Sequence, residues 1–425
     1  MGAGTAQRGA CLLISGKVRK NMEFVVFAGV LLLLFIFMIV QELIQTKNQE
    51  KLFKKYLREN YGKEPPKEYS LERFARLGSY LERHKEEKQL DDITWNDLGM
   101  DEVFRRIDRT YSAAGEEYLY YTLRNISCGR EALEHLEEVV NWLQEQENIK
   151  VRIQLLMKRL GHLGKYSLYD YLDNLDYLGE RSNRKIVLGN LLYLPFLLLL
   201  FVQPAMGTIG IVLCMLWHIM TYFREKKVIE PYIISFAYVL RLIDVCEELE
   251  KQKIPVYRRE LDELREALKS LRELRRGAYW VMAGNQGKIG GNPLDILADY
   301  LRMILHLDIF QFNRMLEKLR KKTGQVETML AITGYLDMAI SVGGFRKSLE
   351  GYCIPKLEED TEKAFLHMKK GWHPLLSQPV KNSIRADRGI LLTGSNASGK
   401  STFLKMVAVN AVLAQTIHTC AAESY

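Results

Sequence analysis

Hydrophobic residues in this chain concentrate in three uncharged runs set in an otherwise charge-rich sequence. The first reads FVVFAGVLLLLFIFMIV over Phe24–Val40, the second IVLGNLLYLPFLLLLFV over Ile186–Val202, and the third GTIGIVLCMLWHIMTY over Gly207–Tyr222. A helix of 17 residues is about 25 Å long, the short end of what crosses a bilayer. One such run alone is compatible with a buried core helix. A close pair separated only by Gln203–Met206 is harder for a soluble fold to hide, and it predicts a transmembrane hairpin over 186–222. Arg181, Arg184 and Lys185 precede the pair, and Arg224, Lys226 and Lys227 follow it, which places both ends of the hairpin in the cytoplasm. The first run predicts a transmembrane helix over 24–40 after an N-terminal tail, 1–23. Lys17, Arg19 and Lys20 precede it, but five basic residues between Lys47 and Arg58 follow it, so the tail is expected outside.

Elsewhere the apolar positions recur at helical spacing. Residues 41–92 are charge-rich and read as a solvated juxtamembrane helical stalk. From residue 93 to 185 amphipathic helices follow, with Trp95, Leu98, Val103, Phe104 and Ile107 on one stripe and Tyr118, Leu119 and Leu123 on the next. After the hairpin, 223–350 predicts long amphipathic helices over Val228–Gly277, Pro293–Lys322 and Gln325–Leu349. Their apolar residues read as the packing stripe of antiparallel helices. Basic clusters at Arg272, Arg275 and Arg276 and at Arg320, Lys321 and Lys322 are candidate contacts for DNA phosphates, or simply solvated helix ends.

At residue 351 glycine, proline and short β-like runs appear, and Gly389-Ile-Leu-Leu-Thr393 predicts a short apolar strand. It leads into Gly394-Ser-Asn-Ala-Ser-Gly399-Lys400-Ser401, then Thr402 and the helical run Phe403–Gln415, which fits the P-loop pattern GxxxxGK[ST]. Gly394 and Gly399 let the backbone form a nest of inward N–H groups, and the helix starting near Lys400 adds its positive dipole end. Lys400 would neutralise the β- and γ-phosphates, and the Ser401 hydroxyl would complete a Mg²⁺ shell. The loop thus predicts a nucleotide phosphate site.

Composition changes the picture little. The 425 residues are 48% hydrophobic and 26% charged, with a formal net charge of +8. That excludes a disordered, collagen-like or small disulfide-scaffold chain. The six cysteines are widely spaced with no CxxC pair, which argues against a zinc ribbon and for reduced thiols. His367 and His373 stand six apart and do not make a helical metal pair.

The residues around the loop carry a resemblance. Gly371-x-His373-Pro, Val380-Lys-Asn382 and Leu391-Leu-Thr-Gly-x-Asn396-x-x-Gly-Lys-Ser-Thr402, then Leu413-Ala-Gln and Cys420-Ala-Ala-Glu423, resemble the ATPase domain entry of the MutS DNA mismatch repair family. Upstream, Leu336-Asp-x-x-x-Ser341 and Tyr352-Cys-x-Pro355 resemble the end of that family's helical lever. Thr110-x-Ser112-x-x-Gly115-x-x-x-Leu119 resembles the start of its core domain. The likeness covers roughly 94–180 and 325–425. Ser395, Ala397 and Ser398 replace Pro, Met and Gly of the family's GPNMGGKST, leaving the lysine and hydroxyls in place. Before residue 94 there is no room for the mismatch-reading domain, and the Walker B strand, signature loop and dimerisation helices are not among these residues, so a longer protein is expected.

The expected fold class is mainly α: a helical core and lever with transmembrane helices, then the opening part of a P-loop α/β ATPase domain over 351–425. The resemblance implies ATP and Mg²⁺ as cofactors, held by Gly394, Asn396, Ser398, Gly399, Lys400, Ser401 and Thr402, with Val380 against adenine and Ser401 as the metal ligand. It implies DNA as partner and a homodimer in the intact protein. No catalytic residue is assigned within these 425 residues, and hydrolysis is not expected of them alone. The expected location is the cell membrane, multi-pass, with the polar parts cytoplasmic. Two alternatives stay open: a transport-like or signalling membrane ATPase with no DNA role, and a non-catalytic membrane scaffold.

Overall fold

The computed structural model describes residues 37–38, 40–41, 44–64, 69, 71–86, 88–126, 129–163, 167–275, 300–358, 364–395 and 399–425. The first apolar run is almost wholly outside these residues, as are Arg276, Asn396 and Ser398. The chain divides into two units, 1–60 and 61–425. Within the first, residues 44–60 are helical, with Lys54 paired to Glu50 at 2.6 Å one turn away.

The second unit is mainly helical. Its helices are α1 (Leu71–Arg83), α2 (Asp92–Leu98), α3 (Met100–Ile107), α4 (Ala113–Arg124), α5 (Arg130–Glu145), α6 (Glu147–Leu160) and α7 (Leu168–Asp173). The chain continues with α8 (Arg184–Leu191), α9 (Tyr193–Val202), α10 (Pro204–Glu250), α11 (Arg258–Leu271), α12 (Leu307–Leu319) and α13 (Thr323–Ser348). A two-stranded antiparallel sheet, β1 (Leu366–Gly371) and β2 (Asn382–Ala386), precedes α14 (Lys400–Thr416).

The core is built around α13, which packs against α3, α4, α5, α6, α10 and α11. It was expected to be amphipathic but is buried nearly all round, with 83% of its most apolar stretch inside the protein. A helix with no wet face must satisfy its polar groups internally. Thr333, Asp337 and Ser341 stand at four-residue spacing, so they share one face. Thr333 Oγ1 donates to Met329 O at 2.8 Å, and Ser341 Oγ donates to Ile107 O at 2.8 Å while accepting from Arg109 N at 2.8 Å. Asp337 accepts from Tyr111 N, Ser112 N and Ser112 Oγ. The segments 107–115 and 333–341, two separate stretches of the resemblance, are therefore one junction. Gly115 and Gly334 allow the approach, since a β-carbon on the latter would lie 2.6 Å from Ala114 O and one on the former would overlap Asp337.

Residues 71–83 differ from the solvated stalk that their charge suggested. Helix α1 packs on α4, with Leu77 and Tyr80 buried, and Arg76 and Arg73 both pair with the fully buried Glu116. Two of its arginines thus serve an internal carboxylate rather than solvent.

Residues 186–222, expected as a transmembrane hairpin, form α8 and α9 packed against the start of α10. Only 6% of the most apolar window of the Arg184–Val202 span is buried, and Leu198, Phe201, Val202, Leu213 and Met220 project outward at 61–89% exposure. Gly207 and Gly210 set the closeness of the two arms: a β-carbon on Gly207 would stand 2.6 Å from Leu200 N, and one on Gly210 would overlap the Phe196 ring. Small residues at such a seam let the two helix backbones approach closely. The third run does not stop at Tyr222. Its helix continues to Glu250, and the part from Ile229 on is buried in the core. The described residues thus hold three helical spans long and apolar enough to cross a membrane, of which α13 is buried inside the protein.

Candidate functional site

The candidate site lies where the chain leaves the small sheet and enters α14. A second apolar cluster, with Met368, Met406, Ala414, Cys420 and Ala422 at its centre, fixes α14 against β1. The C-terminal segment runs back beside it: Cys353 and Cys420 exchange both backbone hydrogen bonds at 2.9 and 3.0 Å, and Lys369 N donates to Ser424 O at 3.0 Å. Lys369 and Lys370 pair with Glu423 at 2.6 and 2.8 Å, and their hydrogen bonds hold the exposed Glu423 carboxyl down to about 2.

Asn410, a fully buried amide on α14, ties two of the motifs together. Its Nδ2 donates to Trp372 O at 3.0 Å, and its Oδ1 accepts from Ala421 N at 2.7 Å. The Gly371-Trp-His-Pro turn is thereby anchored to the middle of the helix. His373 is mostly buried there, and burial followed by the nearby Lys405 charge holds its imidazole below the usual range. His373 Nδ1 accepts from Leu375 N at 3.3 Å, the role of a turn histidine.

Gly399 ends the loop at φ +84, a left-handed conformation that glycine adopts without strain, and α14 begins at the next residue. No side chain caps this helix end. Ser401 and Thr402 lie exposed in its first turn. Lys400 Nζ folds back over the loop, donating to Ser395 O at 2.7 Å and to Gly394 O. The structure therefore brings Gly394, Gly399, Lys400, Ser401 and Thr402 to one exposed helix N-terminus. Val380 is 78% exposed on the segment before β2, its carbonyl accepting from Asn382 Nδ2 at 3.0 Å. Nothing among the described residues brings it against the loop.

Gly389–Thr393 differs from expectation. It is not a strand, and Leu391 is 88% exposed, because no described strand lies beside it to share its backbone hydrogen bonds. The antiparallel pair β1–β2 was not expected. It is held by pairing across the hairpin, with Leu366 opposite Ala386 and Met368 opposite Ile384.

The sequence also gave no notice of Arg346. Its guanidinium is fully buried at the end of α13, where Nε donates to Thr419 Oγ1 at 2.9 Å and Nη2 donates to His418 O at 3.0 Å and to Glu137 at 2.7 Å. It joins α13, α5 and the turn that follows α14. Burial pulls the Glu137 carboxyl upward, but His418, 3.7 Å away, and the Arg346 hydrogen bond at 2.7 Å outweigh that and hold it down to about 2. Its place directly after the apolar stretch Ile340–Phe345 was the available signal. Of the basic clusters, Arg320 is spent inside the fold, donating to Leu175 O at 2.7 Å and Gly179 O at 3.0 Å.

No family model matches the chain. It is similar over about a quarter of its length to MutS protein homolog 4 of Homo sapiens, 28% identical over 123 residues, or 27% of this chain and 12% of the relative. It is likewise similar to DNA mismatch repair protein MutS of Acholeplasma laidlawii, 33% identical over 110 residues, 25% of this chain and 13% of that protein. The DNA mismatch repair protein MutS of Leptospira interrogans is 31% identical over 124 residues, 27% of this chain and 14% of the relative. The matched part thus spans only 12–14% of these relatives, and over that part the chain is MutS-like.

Proposed function

We propose that this chain is the membrane-anchored part of a MutS-like ATPase that binds ATP and Mg²⁺ at residues 394–402. The observation carrying this reading is the uncapped N-terminus of α14, entered through Gly399 at φ +84, with Lys400 Nζ held on the loop's own carbonyls. Those groups fit a phosphate: an uncapped helix end offers free N–H groups, and a lysine bound only to carbonyls is available to move onto an anion. Lys400 would neutralise the phosphates, and Ser401 would contribute its hydroxyl to the metal. The bound triphosphate supplies the phosphoanhydride energy. This chain's part is to hold the phosphates and pass the state of α14 through Arg346 into α13. Dimerisation and DNA as partner come from the mismatch repair proteins it resembles.

Titration of the full chain in nanodiscs with Mg-ATP tests the nucleotide reading. Measurable heat that Lys400→Ala abolishes is expected; no heat from the unaltered chain overturns it. The apolar outward face of the hairpin favours a second reading, a membrane ATPase with no DNA role. Duplex binding that weakens steeply as salt rises supports the DNA reading, whereas none at low salt leaves the second.

A further inference from the structure

At the open end of the hairpin, where outward-facing apolar residues give way to charged ones, lies a cavity of about 690 Å³. That is the size of a small-molecule site. Its rim carries Arg181, Arg184, Lys185 and Arg224, contributed from both arms. Arg181 is neutralised by Glu225. Arg184, Lys185 and Arg224 are exposed and have no ion-pair partner among the described residues, and Glu180 is the one remaining carboxylate of the lining. Three unpaired cations around one concave space repel one another unless an anion sits between them.

Two further observations point to a polar occupant. His218 and Asn313 line the cavity and are 1% and 7% exposed, yet His218 Nε2 and Asn313 Oδ1 have no hydrogen-bond partner. Buried polar atoms are normally satisfied, and two unsatisfied ones lining the same cavity leave room there for a polar ligand. Beside the rim stands Trp217, half exposed, the side chain that favours the boundary between headgroups and acyl chains. Beyond it the hairpin presents Leu188, Leu213 and Met220 outward, each more than 60% exposed.

We propose that this cavity binds the headgroup of an anionic phospholipid. Arg184, Lys185 and Arg224 hold the phosphate, Asn313 and His218 meet the polar headgroup, and the acyl chains lie along the outer sides of the hairpin. The inference rests on the membrane reading of 186–222. A free phosphate would satisfy the cations but would leave the adjoining apolar wall without a partner, which is why a lipid is the favoured source.

The test uses the full chain in nanodiscs of phosphatidylcholine with and without phosphatidylglycerol, extracted gently and weighed by native mass spectrometry. Retention of phosphatidylglycerol in preference to phosphatidylcholine is expected. The triple variant Arg184→Gln/Lys185→Gln/Arg224→Gln should lose that preference by on the order of 100-fold, each basic residue at an anionic surface contributing roughly a fivefold effect. Arg224→Lys, which keeps the charge, should retain most of it. A triple variant that keeps the parent's preference for phosphatidylglycerol overturns the proposal. So does displacement of phosphatidylglycerol by inorganic phosphate with equal affinity, which would make the ligand a free anion. Carbonate extraction separates the two levels: a chain that stays embedded but shows no lipid preference sinks this inference alone, while a chain released into the supernatant sinks the membrane reading and this inference with it.

Discussion

Asp337, in the middle of α13, accepts hydrogen bonds from both the backbone N–H and the hydroxyl of Ser112, at 2.8 and 2.6 Å, across 225 residues of sequence. The same carboxylate takes Tyr111 N at 3.0 Å, so one buried side chain organises the whole entry to α4. Ser112 Oγ in turn accepts from Gly115 N at 3.0 Å and caps that helix. The junction is a closed polar network in a dry core, in which removing one member strands the rest.

Asp337→Ala therefore leaves three buried donors unpaired and should destabilise the protein by about 3–5 kcal/mol, since each stranded group costs ~1–3 kcal/mol. Asp337→Asn, which keeps one acceptor oxygen, should lose less. Chemical denaturation of the detergent-solubilised chain measures both, and equal stability of Asp337→Ala and the parent would refute the network.

Glu117 is fully buried, and burial pushes its carboxyl up to about 8, against the pull of Ser167 Oγ at 2.8 Å and of Arg76. In the unfolded chain it ionises near 4.5. Between those values the folded state holds a proton that the unfolded state has released, so this group's stabilisation is full below pH about 4.5 and is lost as pH rises to about 8. Glu117→Gln, which mimics the protonated form, should flatten that decline. Denaturation midpoints across the window read it out, and parallel slopes for parent and variant would contradict the assignment.

Arg346→Met should free the turn after α14 from the end of α13. The cost is about 3 kcal/mol, at the low end for breaking a buried pair because Glu137 is partly open to solvent. Because the pair holds the Glu137 carboxyl near 2, its contribution is present above pH about 4.5 and is lost as pH falls toward 2. Faster amide exchange in 416–421 and a shallower acid limb are expected. Unchanged exchange there would mean Arg346 links nothing.

Gly210→Leu forces a side chain into the Phe196 ring and should spread the hairpin, at about 1–3 kcal/mol for overpacking. Ile209→Leu, at a position 56% exposed, should change nothing. Thermal unfolding in nanodiscs compares them, and identical curves would mean the two arms do not pack as described.

Much of the candidate site was legible. Gly394, Gly399, Lys400 and Ser401 are adjacent in sequence, and a loop closing onto a helix is a local event that a short pattern can encode. Asn410 and Arg346 were not legible, because their partners lie at Trp372, Ala421, Glu137 and Thr419 on other elements. The strand expected over Gly389–Thr393 is absent for a related reason: a strand is defined by a neighbour, and apolar residues alone do not supply one. Residues 71–83 misled in the opposite direction, because charge reads as solvent contact unless a buried partner such as Glu116 is known.

The sequence by itself determined the mainly helical character, the two apolar arms with basic ends and the glycine-rich loop before α14, since periodicity, run length and turn chemistry act over a few residues at a time. Only the tertiary structure decided that the apolar α13 is the buried axis of the core while the still more apolar hairpin faces outward. That distinction depends on what surrounds each helix. Asp337, Ser341 and Arg346 find internal partners on neighbouring elements and so allow α13 to be enclosed, whereas Leu198, Phe201 and Met220 have no such neighbours and remain outside.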